Sequence, residues 1–211
     1  MLVTEKVYAL NSTKGAYVYI ILDEEILLID TGLSFRGKKL IEELHSMNID
    51  PHDIKHILLT HHDLDHIGNA ARLQRLTGAR VWSSREDVSY IKGEKKRPGI
   101  KKIFTALFRP EIPNNIHIYE DNQRIGGAQI IPAPGHTPGH VCILYNNVLF
   151  AGDLVETQKS LIKPYLHPLM TWDKNKLLES IEKMAPLPFK WVCPAHGSPV
   201  ERSGIWDVFR K

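Results

Sequence analysis

Five side chains able to bind a metal ion fall within six residues in the run Thr60-His61-His62-Asp63-Leu64-Asp65-His66, and four of them, His61, Asp63, Asp65 and His66, are spaced to act together. The run follows an apolar stretch, Ile57-Leu58-Leu59, and opens a helical pattern, so it leaves the end of a predicted strand. A strand end fixes direction, and the turn after it can splay alternate side chains toward one point, where His61, Asp63, Asp65 and His66 converge. Buried without a cation, such a group would hold uncompensated charge, and a metal removes that cost. The other reading is a solvated polar loop in which Asp63 or Asp65 caps the following helix. Three further residues weigh toward the metal: His136 in Pro134-Gly135-His136-Thr137-Pro138-Gly139-His140, Asp153 in Ala151-Gly152-Asp153, and His196 in Pro194-Ala195-His196-Gly197. Each lies just after a strand-like run, in a turn tightened by Gly or Pro, and imidazole and carboxylate are the ligands that suit first-row divalent metals. Nucleophilic catalysis by a side chain has no comparable signal: there is no Gly-x-Ser-x-Gly elbow, and Cys142 lies within a strand-like run.

The segments that must position these residues are legible in period and turn chemistry. Residues 16–22 and 26–30 are β-branched and aliphatic runs joined by the acidic turn Asp23-Glu24-Glu25, which predicts a hairpin ending in Asp30-Thr31-Gly32. A second hairpin is predicted from 141–145 through Asn146-Asn147 into 148–151, ending in Gly152-Asp153. The remaining pattern predicts a helix capped by Ser34 and carrying Leu40, Ile41 and Leu44, a strand at 57–59, a helix from Ile67 to Leu76, and a strand at Val81-Trp82. A helix from Lys174 to Met184 and a strand at Trp191-Val192-Cys193 follow. Strands followed by β-α alternation in each half predict an α/β fold of two mixed sheets packed face to face with helices outside, a four-layer αβ/βα sandwich.

Composition sets the outer bounds. The 211 residues suit a single domain spanning 1–211. With 43% hydrophobic and 24% charged residues, disordered, collagen-like and disulfide-scaffold classes are excluded. Cys142 and Cys193 are too few to staple a fold and are expected to be reduced and buried. No apolar run reaches the roughly 18 residues a membrane span needs, and the first fifteen residues lack an apolar signal core. The expected location is cytoplasmic, with no membrane partner. A net charge of +3 gives no argument for nucleic acid, and the basic cluster in 92–109 is read as a solvated face on a loop running into an amphipathic helix. His45, His52, His56 and His117 are expected to be solvated, and His62 and His140 to lie outside the ligand set, with His140 as packing support.

The motifs together resemble the metallo-β-lactamase superfamily of metal-dependent hydrolases. The resemblance rests on five ordered motifs, Asp30-Thr31-Gly32, the His61-to-His66 run, His136, Asp153 and His196, spread over about four fifths of the chain. It implies the same αβ/βα sandwich, with a site for two divalent metal ions at one edge. By that resemblance His61, Asp63 and His136 hold the first ion, Asp65, His66 and His196 hold the second, Asp153 bridges them, and Asp30 supports the ligand loops. Zinc is the first expectation, with iron or manganese as alternatives.

One position departs from the family pattern, His-x-His-x-Asp-His: Asp63 stands where the second histidine is usual. A carboxylate ligates well but has shorter reach than imidazole and adds a negative charge. Two divalent ions, three carboxylates and one hydroxide sum to about zero formal charge, against about +1 for the usual pattern. Harder ions such as iron(II) or manganese then compete better with zinc, and bound water is less acidified. In the alternative, Asp63 turns away and one ion binds; His62 cannot replace it, because adjacent residues point in different directions.

The activity implied is hydrolysis, in which a metal-bridging hydroxide attacks the carbonyl of a small ester, thioester or lactone while Asp65 binds metal and orients the nucleophile. Compact family members of this kind include hydroxyacylglutathione hydrolases and acyl-homoserine lactonases. The alternatives are a mononuclear-iron persulfide dioxygenase built on His61, His136 and Asp153, and a nucleic-acid phosphodiesterase, which would need a clamp beyond the basic cluster. The expected partner is a small-molecule substrate, no nucleic acid is expected, and no motif speaks to oligomeric state. Segments 92–109 and 156–173 are the candidate lids, and Tyr165 and His167 the candidate donors to an oxyanion.

Overall fold

The computed structural model describes residues 1–96 and 110–206. Most of the basic segment 92–109 therefore lies outside the described residues. The first sheet runs β1 (Leu2–Thr4), β2 (Val7–Ala9), β3 (Tyr19–Ile21), β4 (Ile26–Ile29), β5 (Ile54–Leu58), β6 (Arg80–Ser83) and β7 (Ile116–Ile118). It is antiparallel as far as β4 and parallel from β4 to β7. The second sheet joins β8 (Arg124–Ile125), β9 (Ala128–Pro132), β10 (Val141–Tyr145) and β11 (Val148–Gly152) to β14 (Trp191–Pro194) and β15 (Val200–Glu201), with β12 (Val155–Gln158) and β13 (Leu161–Pro164) forming a separate hairpin. Among the described residues the α-helices are α1 (Gly37–Ser46), α2 (Leu64–Ile67), α3 (Ala70–Thr77), α4 (Arg85–Ile91) and α5 (Lys174–Met184).

The central strands read as unbroken apolar runs because alternate residues face two different cores. Tyr19, Ile21, Leu27 and Ile29 pack between the sheets against Ile143, Tyr145 and Phe150. Their neighbours Ile20 and Leu28, with Ile57, pack outward on Leu40 and Leu44 of α1 and Leu73 of α3. On the far side Cys142, Leu144, Leu149 and Val192 meet Leu177, Ile181 and Met184 of α5. Both faces of both sheets are covered, which gives the four-layer sandwich that the pattern predicts. Cys142 and Cys193 are free and buried, as expected.

Several local expectations are corrected. Ser34 opens a short 3-10 turn, Ser34–Arg36, and α1 starts at Gly37 without a side-chain cap. The single helix expected over 67–76 is interrupted between α2 and α3, where the Asn69 amide donates to the carbonyls of Thr31 and Leu33, both at 2.8 Å, and holds the loop after β4. Segment 156–173 holds no helix: it is most of the β12–β13 hairpin and the turn after it. His56 is buried in β5, where its Nδ1 accepts from Trp82 Nε1 at 3.0 Å, while His45, His52 and His117 are exposed.

Chain direction sets up the site. Strands β4, β5 and β6 run parallel, and so do β9, β11 and β14, so in each sheet their C-terminal ends share one edge. Ligand sites in sheets with parallel strands form beyond such edges. Phe150, 1% exposed with its ring 5.3 Å from that of Tyr19, anchors the inter-sheet core behind this edge. Phe150→Ala is expected to cost about 3–5 kcal/mol, seen as a lower urea midpoint at unchanged m-value; a loss below ~1 kcal/mol would contradict this packing.

Candidate metal centre

Each run of site residues begins beyond the end of a strand, with Asp65 and His66 carried on α2. Asp30 follows β4 with φ 62°, held there by its N–H bond to the Leu58 carbonyl at 2.9 Å. Its Oδ1 accepts the N–H of Thr60 at 2.8 Å, and its Oδ2 accepts the Thr60 hydroxyl at 2.7 Å and His66 Nδ1 at 2.8 Å. A carboxylate only accepts, so Nδ1 of His66 carries a proton and Nε2 is the nitrogen that faces the centre. His196, after β14, is oriented likewise: Nδ1 donates to the Gly15 carbonyl at 2.6 Å.

Asp63 sits at the N-cap position of α2, but its side chain makes no capping hydrogen bond. Its Oδ2 instead lies 3.0 Å from His136 Nε2 and 3.6 Å from His61 Nε2. Asp153 follows Gly152, whose φ is 50° and where an added Cβ would stand 2.6 Å from His140 Nε2. Glycine thus lets the chain turn close enough for the Asp153 N–H to donate to His140 Nε2 at 3.0 Å. Burial keeps His140 neutral, with its pKa lowered to about 3. It acts as the packing support expected of it.

Asp153 is the hub. Its Oδ2 stands 3.4 Å from His136 Nε2, 3.4 Å from His196 Nε2 and 3.8 Å from His61 Nε2, while Oδ1 is 3.5 Å from His66 Nε2. Asp65 Oδ2 lies 3.4 Å from His196 Nε2 and 3.8 Å from His66 Nε2. The fold therefore brings together all seven residues singled out as ligands. Their atoms form one group of His61, Asp63 and His136, another of Asp65, His66 and His196, and a linking group of His61, His66 and Asp153, with atoms within 4.8 Å in each.

These residues fit divalent ions on two counts. Ligands about 2.0–2.2 Å from a tetrahedral ion stand about 3.3–3.6 Å apart, and most of the separations above fall in that range. His61 Nε2, His66 Nε2 and Asp153 Oδ1 are also buried with no hydrogen-bond partner among the described residues. Native proteins seldom leave buried polar atoms so without a reason such as an ion.

Protonation tells the same story. Burial and nearby His66 push His61 well below the usual imidazole range. Burial acts the same way on His66, yet Asp30, Asp65 and Asp153 outweigh it and hold its pKa well above that range. At His196, Asp153 and Asp65 overcome burial and raise the pKa to about 10. Asp153 is driven well below the carboxylate range, against its burial, by His196, His66 and His136. Without a cation, protons on imidazoles balance the carboxylates.

Two supporting residues escaped the sequence reading. Thr60 reads as part of the ligand run, but its bond to Asp30 spans thirty residues, and Asp87, in α4, reaches the site only through the fold. Nothing local in the sequence marks either.

A two-sheet sandwich with imidazoles and carboxylates converging beyond parallel strand ends defines a metal-dependent hydrolase class of fold. Residues 13–196 match the family profile described as the metallo-beta-lactamase superfamily, and the chain belongs to that superfamily. It is 28% identical to the probable metallo-hydrolase YflN of Bacillus subtilis strain 168, over 82% of this chain and 76% of that protein. It is 29% identical to the hydroxyacylglutathione hydrolase GloC of Haemophilus influenzae, over 64% of this chain and 65% of the relative. Among solved structures, TTHA1623 in a di-iron-bound form superposes with a TM-score of 0.68 at 25% identity, covering 88% of this chain and 89% of that one.

Because His66 and His196 carry protons at neutral pH in the ion-free state, ligation must displace them. Zinc binding at pH 7 is expected to release protons, and apparent affinity to rise with pH up to the pKa of His196. Calorimetric titration in two buffers of different ionisation enthalpy reads this directly; binding without proton release contradicts the protonation pattern.

Proposed function

We propose that the protein is a metal-dependent hydrolase of small esters, thioesters or lactones, using two divalent ions at the sandwich edge. The observation that carries this reading is the pair of three-residue ligand groups with Asp153 between them. His61, Asp63 and His136 would hold one ion, Asp65, His66 and His196 the other, and Asp153 would serve both. When bound, such ions lower the pKa of water toward neutrality and polarise a carbonyl oxygen. The imidazole-rich set suits zinc, while Asp63 brings iron(II) or manganese(II) into competition, and the similar TTHA1623 is known in a di-iron form.

The chain's own residues supply orientation and proton handling. Asp65 has a side chain 25% exposed, against 5% for Asp63 and 3% for Asp153, so it borders the side open to water and substrate. Its carboxylate is suited to orient the attacking water, accept its proton and return it to the leaving group. Tyr165 borders the same opening, its ring stacked on His196 at 5.1 Å and 13° and lying 5.3 Å from His136. Burial, then the charges of Asp153 and Asp65, push its phenol pKa up, so it stays protonated and can donate to the carbonyl oxygen as negative charge develops. His167 is exposed and its Nδ1 accepts from Leu169 within its own turn, so Tyr165 is the donor of choice.

The name of the Haemophilus relative points to thioesters. A single-iron dioxygenase would leave Asp65, His66 and His196 without a purpose, and a small-molecule substrate suits a largely buried ligand cluster better than nucleic acid. The test is to strip the protein of metal, reconstitute it with zinc, iron(II) or manganese(II), and assay thioesters, lactones, phosphodiesters and β-lactams. Thioester or lactone turnover is expected to require metal, and Tyr165→Phe to lower kcat about tenfold or more at unchanged metal content. Hydrolysis of none of these by protein holding two ions, or oxygen uptake with a persulfide, would overturn the proposal.

A further inference from the structure

Asp87 is fully buried in the first turn of α4, yet its carboxylate faces away from its own helix toward two site loops. Its Oδ2 accepts the N–H of His62 and the hydroxyl of Thr137, each at 2.9 Å, and lies 3.0 Å from His62 Nδ1. Its Oδ1 accepts the N–H of Gly139 at 2.9 Å. A Cβ at Gly139 would stand 2.1 Å from Ser84 Oγ and 2.6 Å from Asp87 Oδ1, so only glycine lets the second loop approach. His62 is pinned further: its ring stacks on Tyr90 at 4.4 Å and 13°, and its Nε2 lies 3.6 Å from Asp63 Oδ1.

One carboxylate therefore joins α4, the loop bearing His61 and Asp63, and the loop bearing His136. These loops come from different sheets, and Asp63 Oδ2 meets His136 Nε2 at 3.0 Å where they face each other. Asp30 makes the equivalent bonds for the other half of the centre, to Thr60 and His66. The unusual residue at 63 makes the second support necessary. An aspartate reaches less far than a histidine, so its backbone must be set closer to the ion, and the residue before it is held by both its backbone N–H and its ring.

We infer that Asp87, acting through His62 and Gly139, is a positioning residue that brings Asp63 and His136 together as ligands of one metal ion. The inference rests on the reading of these residues as ligands. Outer partners of metal ligands commonly change affinity by 10–100-fold. The test is cobalt(II) titration of the full chain against a competing chelator. Shifted imidazole proton resonances of His61 and His136, and of His66 and His196, report the two sites separately. Asp87→Asn is expected to weaken cobalt at the His61–Asp63–His136 site at least about tenfold and to change its visible d–d spectrum, while the other site weakens less than about threefold. Adding Asp63→His to Asp87→Asn should restore part of that affinity, because imidazole has the longer reach. His62→Gln, which leaves α4 and its cap intact, should give the same one-sided loss and serves if Asp87→Asn fails to fold. Unchanged affinity and spectrum in these variants, or equal loss at both sites with no rescue by Asp63→His, would overturn the inference. Wild-type protein that binds no cobalt would instead overturn the functional reading itself.

Discussion

Burying Asp63 and Asp153 beside imidazole nitrogens of His61 and His66 that have no hydrogen-bond partner among the described residues is costly in a medium that solvates charge poorly, and the whole edge of the sandwich is arranged around that cost. Protons on His66 and His196 offset part of it, and divalent ions offset it more fully because they also fill the geometry. The sandwich behind the site exists in a form that can hold these charges still. Its strands pack apolar side chains on both faces, so the strand ends are rigid points from which short turns project ligands.

Precision at the edge comes from buried carboxylates that bind no ion directly. Asp30 fixes the tautomer and tilt of His66 through Nδ1 and locks the start of the ligand run through Thr60. Asp87 ties the His62–Asp63 backbone to the turn of Gly139. Each stands beyond the C-terminal end of a strand of the first sheet, Asp30 after β4 and Asp87 after β6, flanking the ligand run after β5. The centre is thus held from both sides of one strand, while the second sheet contributes His136, Asp153 and His196.

Much of this was legible in the amino-acid sequence. Strong apolar runs ended by Gly, Pro or acidic turns located both hairpins and the strands before His61 and His196, because those strands are buried on both faces and leave little room for polar residues. The seven ligand-type residues stood out because short turns after strands collect them. Weaker elements did not: β1, β2, β7 and β8 are two or three residues long and carry too little pattern to separate from loops. The break between α2 and α3 depends on Asn69 reaching a loop far away in sequence, and the burial of His56 on its pairing with Trp82. The role of Asp87 was invisible for the same reason, since the hydrogen-bond partners of its carboxylate, His62, Thr137 and Gly139, are at least twenty-five residues away.

The proposed function requires that Asp153 sit between two cations, one of them held by an aspartate where a histidine is usual. Anomalous diffraction from crystals equilibrated with zinc or iron(II), recorded on either side of the metal absorption edge, tests it most directly. Two peaks about 3.5–4 Å apart are expected, one contacting His61, Asp63 and His136, the other Asp65, His66 and His196, with an oxygen of Asp153 reaching both. A single peak with Asp63 turned away, or no peak among these residues at saturating metal, would contradict the account.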